Sequence, residues 1–264
     1  MTKPVCADAF LIRQRNLKND YYSYTFGPFP GVEQCRPGNF VHLRLPSSDV
    51  YFRRAMSVTS VDKKNRELEI LFRVVGRGTS ILARYQKNDP IGILGPLGNS
   101  FSKPRKKEIA AIVAGGVGFP PLAYFAEHLV NGGFDPKRIL FFYGGKSASD
   151  IIERGRIKKM GVRFHPMTDD GSFGRKGLIT QGVEEFLRDG GNQRVRMYAC
   201  GPEAMLRAVD DLGLKYRVPG ELSLEAPMPC GIGVCLGCIV TLRKGGYARV
   251  CHEGPVFKIG EVLL

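Results

Sequence analysis

Four cysteines near the end of the chain have a spacing that could hold a metal group. Cys230, Cys235 and Cys238 follow the pattern C-x4-C-x2-C, and Cys251 follows after a longer gap. Four thiolates in this spacing hold the two irons of a plant-type [2Fe–2S] cluster. Glycines at 231, 233 and 237 favour positive φ angles, so the backbone can wrap closely around a cluster and point amide N–H groups at its sulfurs.

Two other uses of cysteine compete with this interpretation. A zinc site usually pairs two C-x2-C knuckles, and only Cys235 and Cys238 form one here. A disulfide framework belongs to small secreted chains, and the N-terminal residues have no apolar signal region. The spacing therefore favours an iron–sulfur cluster, and Cys6, Cys35 and Cys200 are expected to be packed or free thiols.

Three short strings in the first hundred residues predict a flavin site. Arg53-Arg54-Ala55-Met56-Ser57 places an arginine and a hydroxyl where they could grip a pyrophosphate and the edge of a flavin ring. Leu71-Phe72-Arg73 closes a strand, and Gly76-Arg77-Gly78-Thr79-Ser80 opens a short helix that could bind phosphate. Gly78-Thr79 alone would also serve as a turn and helix cap. The prediction therefore depends on the three strings occurring together.

Two later loops predict a dinucleotide site. Gly115-Gly116-Val117-Gly118-Phe119-Pro120-Pro121 follows an apolar run and opens a helix, but it has proline where G-x-G-x-x-G has its third glycine. Cys200-Gly201-Pro202 lies at a later strand end, where a nicotinamide could be placed over a flavin. No acidic residue stands at the usual distance to bind a ribose 2′-hydroxyl, so the choice between NAD and NADP is open.

The elements that position these groups fall into two patterns. Short alternating runs in the first part predict an antiparallel Greek-key barrel: Ala9–Arg13, Tyr21–Phe26, Phe40–Leu45, Met56–Val61, Glu67–Val75 and Pro90–Leu94. Apolar runs at Ile109–Ala114, Ile139–Tyr143, Val162–His165, Arg196–Cys200 and Glu221–Leu224 predict a doubly wound parallel sheet. Helices are predicted between them at Pro121–Val130, Ser149–Lys159, Thr180–Arg188 and Pro202–Leu212, and Gly-Gly pairs at 132–133 and 190–191 end two of these.

These patterns divide the 264 residues into three parts. A flavin-binding β-barrel is predicted over residues 1–103, a dinucleotide-binding α/β domain over 104–218 and a small [2Fe–2S] cysteine-loop module over 219–264. The chain is long enough for domains with sizeable cores, and 43% apolar with 24% charged residues is typical of a globular protein.

The net charge of +14 raises the question of a nucleic-acid partner. Lysine and arginine are spread along the chain without a basic helix or an aromatic-interleaved stripe, so no nucleic-acid partner is expected. No stretch reaches the roughly 18 apolar residues of a membrane span, and a reducing cytoplasm is the expected compartment. The four histidines have neither a metal spacing nor a nucleophile partner, and no residue is predicted to be catalytic.

The three predicted groups require one another. A nicotinamide exchanges two electrons as hydride, whereas a [2Fe–2S] cluster takes one electron at a time. A flavin can do both and is the usual converter. The sequence therefore predicts an electron relay of nicotinamide, flavin and cluster, with a partner protein docking at the cluster.

The same strings, in this order, resemble the ferredoxin–NADP reductase superfamily. Within it the chain resembles the electron-transfer subunits of class 1B dihydroorotate dehydrogenases, and the resemblance covers essentially the whole chain. The most specific stretch is Ser223-Leu-Glu225, then Met228-Pro-Cys-Gly-Ile-Gly-Val-Cys-Leu-Gly-Cys238, Tyr247-Ala-Arg-Val-Cys251 and Gly254-Pro-Val-Phe257.

The resemblance implies FAD on the barrel, contacted by Arg54, Ala55, Met56, Ser57, Leu71, Phe72, Arg73, Gly78 and Thr79. It implies NAD as substrate and a cluster bound by Cys230, Cys235, Cys238 and Cys251. The implied activity passes electrons from dihydroorotate oxidation on an FMN-containing catalytic subunit, through cluster and FAD, to NAD⁺ in pyrimidine (UMP) biosynthesis. Two catalytic and two electron-transfer subunits would form a heterotetramer, in which this subunit does not itself bind dihydroorotate.

Two departures and two alternatives accompany this resemblance. Ala55 stands where the family usually has proline, and Asn99-Ser100-Phe101 replaces the commoner Asn-Gly-Phe.

A reductase subunit of ferredoxin–NADP transhydrogenase, sulfide dehydrogenase or hydrogenase type would share the architecture. The first cluster ligand is commonly aspartate in the transhydrogenase type, so Cys230 favours the dihydroorotate group. A zinc-stabilised binding module without redox chemistry is the alternative outside the enzymes.

Overall fold

The computed structural model describes residues 3–46, 50–189 and 193–264. Contacts between Cα atoms divide the chain into two compact units. The first contains Met1–Ser100, Ala226–Val240 and Ala248–Pro255, and the second contains Phe101–Glu225, Thr241–Tyr247 and Val256–Leu264. The three-part division at 103/104 and 218/219 stays a prediction.

The first unit is built on a closed antiparallel barrel with the strand order β1-β2-β5-β4-β3-β6. Its strands are β1 (Val5–Asn16), β2 (Tyr21–Gly27), β3 (Phe40–Arg44), β4 (Arg54–Asp62), β5 (Glu67–Arg73) and β6 (Pro90–Leu97), and α1 (Arg77–Leu82) lies between β5 and β6. Strands β3, β4 and β5 follow one another, and β6 returns to lie beside β3, which is a Greek key. The predicted antiparallel Greek-key barrel is confirmed.

Alternation along the strands places the barrel core. On β3, Val41 and Leu43 have no exposed surface and share one face of the strand, as Leu68 and Ile70 do on β5. Burying each such side chain contributes about 1.5–3 kcal/mol. The opposite face of β3 carries His42, which is buried as well.

The second unit contains a seven-stranded sheet in the order β10-β9-β8-β7-β11-β12-β15. Its strands are β7 (Ile109–Gly115), β8 (Ile139–Gly145), β9 (Arg163–Thr168), β10 (Arg175–Lys176), β11 (Val195–Cys200), β12 (Gly220–Ser223) and β15 (Val256–Lys258), of which β15 is antiparallel. The helices are α2 (Phe119–Asn131), α3 (Arg154–Lys159), α4 (Ile179–Asp189) and α5 (Glu203–Tyr216). Strand order reverses between β7 and β11, which confirms the doubly wound topology and places a ligand crevice at their carboxyl ends.

One predicted helix is wrong at its start. The helix predicted from Ser149 begins at Arg154, because Asp150 forms a turn instead: its carboxylate accepts the N–H groups of Lys146 and Ser147 at 3.0 and 3.3 Å. Glu153 then enters the helix with φ of 52°. Gly190 and Gly191, predicted to end α4, lie outside the described residues.

The cysteine module contains little regular structure. Strands β13 (Ile239–Thr241) and β14 (Tyr247–Arg249) form a two-stranded sheet. Within the first unit, the turn after β6 holds the segment that follows Cys251: the Asn99 N–H donates to the Gly254 carbonyl at 2.7 Å, and the Asn99 side chain donates to the Glu253 carbonyl at 2.8 Å. None of the helices in the described residues is long and apolar enough to span a membrane.

Candidate functional site

The cysteine loop directs backbone N–H groups at its sulfurs. The Cys251 N–H lies 3.5 Å from Cys238 Sγ, and both thiols are 2% exposed. Burial opposes ionisation of Cys230, but N–H groups from Ile232, Cys235 and Val234 outweigh it and lower the pKa of this thiol to about 6. The loop therefore stabilises the thiolate at Cys230, which is the form that binds metal, whereas burial raises the pKa of Cys251 to about 12.

Glycine has different roles at the three positions in the loop. Gly231 and Gly233 have φ angles of +70° and +81°, as predicted. The third positive φ belongs to Leu236, at 58°, and not to Gly237. A side chain at Gly237 would instead come within 3.1 Å of the Pro229 ring. The C-x2-C turn thus bends one residue earlier than expected, and Gly237 is needed for close packing.

Arg249 stabilises the cysteine loop through hydrogen bonds, a role that the sequence analysis missed. Its Nη1 donates to the Gly233 carbonyl at 2.8 Å, and its Nε donates to Glu253 Oε2 at 3.0 Å. Hydrogen bonding by Arg249 holds the pKa of Glu253 down at about 2. An arginine two residues before the last cysteine was the available sequence signal.

The donor set fits a two-iron cluster. All seven cysteines are free thiols. The four cysteines of the module all belong to the first compact unit. Among the described residues, no three His, Cys, Asp or Glu side chains are grouped as ligands of a single metal ion. A [2Fe–2S] cluster distributes its four thiolates over two irons, so Cys230, Cys235, Cys238 and Cys251 do not have to meet at one point.

The fold brings two of the three flavin strings into contact. A Cβ atom added at Gly78 would overlap the Arg54 side chain, so the absence of a side chain at Gly78 lets this arginine pack directly against the turn. Arg54 Nε is buried without a hydrogen-bond partner among the described residues. A buried, unpaired guanidinium N–H suits a phosphate oxygen, and the arrangement therefore fits a flavin dinucleotide.

The remaining flavin-string residues have mixed surroundings. Leu71 and Phe72 are buried in the barrel, while Arg73 lies over the Tyr21 ring at 5.2 Å. The Thr79 hydroxyl accepts the N–H groups of Val75 and Gly76, at 3.0 and 3.2 Å, so it caps its own turn. Met56 and Ser57 are half-buried on β4, and Ala55 is exposed beside them.

The two dinucleotide loops meet at the switch point of the sheet. A Cβ atom at Gly118 would overlap the Cys200 carbonyl, and one at Gly115 would lie 2.8 Å from the Pro202 ring. Gly201 is equally tight, with the Gly115 Cα 3.0 Å from its Cβ position. Gly116 has a φ angle of +49° and open space around it. The predicted residues are therefore together, at the place where a doubly wound sheet binds its ligand.

Cys200 is a neutral thiol at the end of β11. It is 2% exposed, and burial raises the pKa of its thiol far above the usual range. The group is therefore suited to packing against a ligand and not to nucleophilic attack.

His42 is a second residue that the sequence analysis did not assign. It lies on β3, has no exposed surface, and neither ring nitrogen has a partner among the described residues. Burial and the nearby charges of Arg53 and Arg54 lower its pKa to about 4, so the ring is neutral at physiological pH.

Comparisons with known proteins agree with the predicted dinucleotide-binding domain and the predicted cluster module. The family profile "Iron-sulfur cluster binding domain of dihydroorotate dehydrogenase B" matches residues 225–263, and "Oxidoreductase NAD-binding domain" matches residues 112–211. The chain is 36% identical over 241 residues to the dihydroorotate dehydrogenase B (NAD(+)) electron transfer subunit of Enterococcus faecalis, covering 88% of each chain. It is 34% identical over 261 residues to that of Geobacillus thermodenitrificans, covering 96% of this chain and 97% of that one.

Solved structures share the fold. A structure of NADH-dependent reduced ferredoxin-NADP oxidoreductase superimposes with a TM-score of 0.85 at 25% identity, covering 97% of this chain and 89% of that one. A ferredoxin NADP⁺ reductase from Neisseria gonorrhoeae, with bound FAD and NADP, superimposes with a TM-score of 0.68 at 16% identity and covers 80% and 91% of the two chains.

Proposed function

Because the chain belongs to the family of dihydroorotate dehydrogenase B (NAD(+)) electron transfer subunits, we propose that it relays electrons between a catalytic subunit and NAD⁺. The catalytic subunit would oxidise dihydroorotate on FMN, and the relay would use a [2Fe–2S] cluster and FAD, in pyrimidine biosynthesis. The observation that carries this proposal is the grouping of the cysteine loop with the barrel that bears the flavin strings, in one compact unit.

Specific residues would hold each group. We assign the cluster to Cys230, Cys235, Cys238 and Cys251, the FAD to Arg54–Ser57, Leu71–Arg73, Gly78 and Thr79, and the nicotinamide dinucleotide to Gly115, Gly116, Gly118 and Cys200–Pro202. The flavin supplies the exchange between two-electron and one-electron chemistry. Arg54 would neutralise phosphate, and the loop N–H groups would stabilise thiolate charge.

The exposed side of the cysteine loop supports docking of the catalytic subunit there. Three aliphatic side chains in this loop are solvent-exposed: Ile232 at 46%, Val234 at 72% and Leu236 at 59%. Clustered apolar groups beside a redox centre are typical of a protein interface, because they exclude water when covered. We propose two catalytic and two electron-transfer subunits in the assembly, and a cytoplasmic location, since the four thiolate ligands need a reducing compartment.

Co-purification tests the proposal directly. We expect the tagged chain to retain an FMN-containing partner, and the complex to reduce NAD⁺ when dihydroorotate is added. The isolated chain should contain about two irons and two sulfides per molecule together with FAD. A colourless chain containing zinc would show that the relay does not exist.

A second candidate function keeps the relay but changes the partner. The similarity to NADH-dependent reduced ferredoxin-NADP oxidoreductase favours a reductase subunit that serves ferredoxin. A purified complex that oxidises NADH only with ferredoxin, and is inert to dihydroorotate, would establish this function instead.

A further inference from the structure

His42 is a buried polar side chain whose hydrogen-bonding groups are not used by the protein. Its exposed fraction is 0%, and both Nδ1 and Nε2 lack partners among the described residues. Leaving a buried donor unpaired is unfavourable, so such a group in a native fold calls for a ligand or a function. None of the predicted site residues explains it.

The ring faces the cysteine loop. Successive side chains of a strand point to opposite faces, so His42 lies on the face of β3 opposite to Val41 and Leu43. A Cβ atom built on Gly231 would lie 2.5 Å from His42 Cε1, 2.7 Å from Nε2 and 2.8 Å from Nδ1. The imidazole therefore fills the space beside the residue that directly follows Cys230.

The charged and aromatic side chains beside the ring cannot accept a hydrogen bond from it. A neutral imidazole carries one N–H donor, and the two charged groups that act on it are the guanidinium groups of Arg53 and Arg54. Guanidinium groups donate hydrogen bonds and accept none. The Phe40 ring, whose centroid is 5.7 Å away, offers no lone pair. A group bound by the adjacent cysteine loop would supply the missing acceptor.

We propose that His42 is a positioning residue for the cluster and that its ring N–H donates a hydrogen bond to a cluster sulfur next to Cys230. This inference rests on the proposed cluster at Cys230, Cys235, Cys238 and Cys251. Hydrogen bonds to the sulfurs help to set the potential of an iron–sulfur cluster. A donor stabilises the more negative, reduced cluster, so His42 raises the midpoint potential. Its strand also pairs with β4 at Ala55, which ties the cluster environment to the flavin string.

The test is an EPR-monitored redox titration of the cluster in the full chain with bound FAD. His42→Leu replaces the imidazole with an apolar side chain of similar length and so removes the hydrogen-bond donor. We expect iron and sulfide content to be unchanged and the equilibrium constant for cluster reduction to fall about tenfold, which is 59 mV for a one-electron couple. The FAD potential, measured in the same sample, should stay within error of the wild-type value.

Two further variants separate this role from a structural one. His42→Gln keeps an N–H donor and should restore most of the potential. His165→Leu removes a histidine of the other unit whose Nε2 is also buried and unpartnered, and it should match the wild type. An unchanged potential in His42→Leu would overturn the proposal, as would an equal shift in His42→Gln and His42→Leu.

Pulsed EPR on the wild-type chain labelled with ¹⁵N-histidine needs no variant. A histidine nitrogen coupled to the reduced cluster is expected, and it should be lost in His42→Gln. Absence of the coupling in a wild-type chain that holds its cluster would refute the role of His42. A wild-type chain that binds no cluster would refute the proposed function itself.

Discussion

At the scale of single residues, the four proposed cluster ligands differ from Cys6, Cys35 and Cys200 in their spacing along the chain. Cys235 is the exposed member of the four, and the Gly237 N–H approaches its sulfur at 3.4 Å. Serine at this position keeps the size of the side chain but loses the soft thiolate that binds iron.

We therefore expect Cys235→Ser to lower the iron content from about two per chain to near zero. NADH oxidation with an artificial acceptor should remain largely intact, because none of the flavin strings contains a proposed cluster ligand. Iron analysis and a diaphorase assay measure the two effects. Cys6→Ser, which alters an exposed thiol outside the loop, is the control and should keep both. Loss of FAD together with the cluster in Cys235→Ser would contradict separate sites.

Arg54 allows a second prediction at this scale. Replacing it with glutamine removes the charge that its buried guanidinium would offer to phosphate, and hydrogen bonds to charged groups contribute about 1.5–3 kcal/mol. We expect the dissociation constant for FAD to rise at least tenfold, measured by flavin fluorescence. Arg13→Gln is the matched control, since Arg13 pairs with Glu67 on the same barrel and is 61% exposed. Equal FAD affinity in Arg54→Gln and the wild type would show that Arg54 does not bind FAD.

The cysteines and Arg54 could be proposed from the sequence because their residue types and spacing are typical of cluster and flavin sites, and both assignments stay predictions. The sequence could not predict His42, because a histidine in an alternating strand is normally solvated. Gly231, which covers the ring, is 189 residues further along the chain, and no local pattern reports that contact.

At the scale of elements, the two dinucleotide loops depend on glycine for their contact. The carbonyl of Cys200 occupies the position that a side chain at Gly118 would need. Backbone cannot move aside as a flexible side chain can, so any substitution must displace one loop from the other.

We expect Gly118→Ala to raise the KM for NADH about tenfold or more, because overpacking of this kind costs about 1–3 kcal/mol. FAD content should not change, since the flavin strings are in the other unit. Steady-state kinetics and flavin absorbance measure the two quantities. Gly155→Ala in α3 has open space around it and should leave the KM unchanged. If Gly118→Ala also has wild-type KM, the loop does not bind the dinucleotide.

Most elements could be predicted because their hydrophobic periods are clear. Six barrel strands and the five parallel strands β7, β8, β9, β11 and β12 lie where alternation and apolar runs place them. The start of α3 was wrong, because Asp150 hydrogen-bonds to backbone in a way that competes with the helix. Strands β10, β13, β14 and β15 have two or three residues each, which is too short for a periodic signal.

At the scale of the whole molecule, the exposed apolar side chains of the cysteine loop form the surface that we propose for docking of the catalytic subunit. Val234 is the most exposed of them. A charge placed there would be buried without a counter-ion in the assembled enzyme, which is strongly unfavourable.

We expect Val234→Asp to weaken binding of the catalytic subunit at least tenfold while the visible spectrum of the cluster stays unchanged. Size-exclusion chromatography of the mixed subunits gives the affinity, and absorbance reports the cluster. Leu178→Asp is the control: Leu178 is 55% exposed but belongs to the second unit, whereas the cysteine loop belongs to the first. Unimpaired assembly by Val234→Asp would place the docking surface elsewhere.

The hydrogen bond from Asn99 to Glu253 joins positions 154 residues apart and has a consequence for biogenesis. The barrel strands leave the ribosome before the segment that their last turn holds. The cysteine loop can therefore take its final shape only after Glu253 has been synthesised. We expect the chain to acquire iron as its last maturation step, and cells starved of iron to accumulate it as a yellow flavoprotein that lacks a cluster.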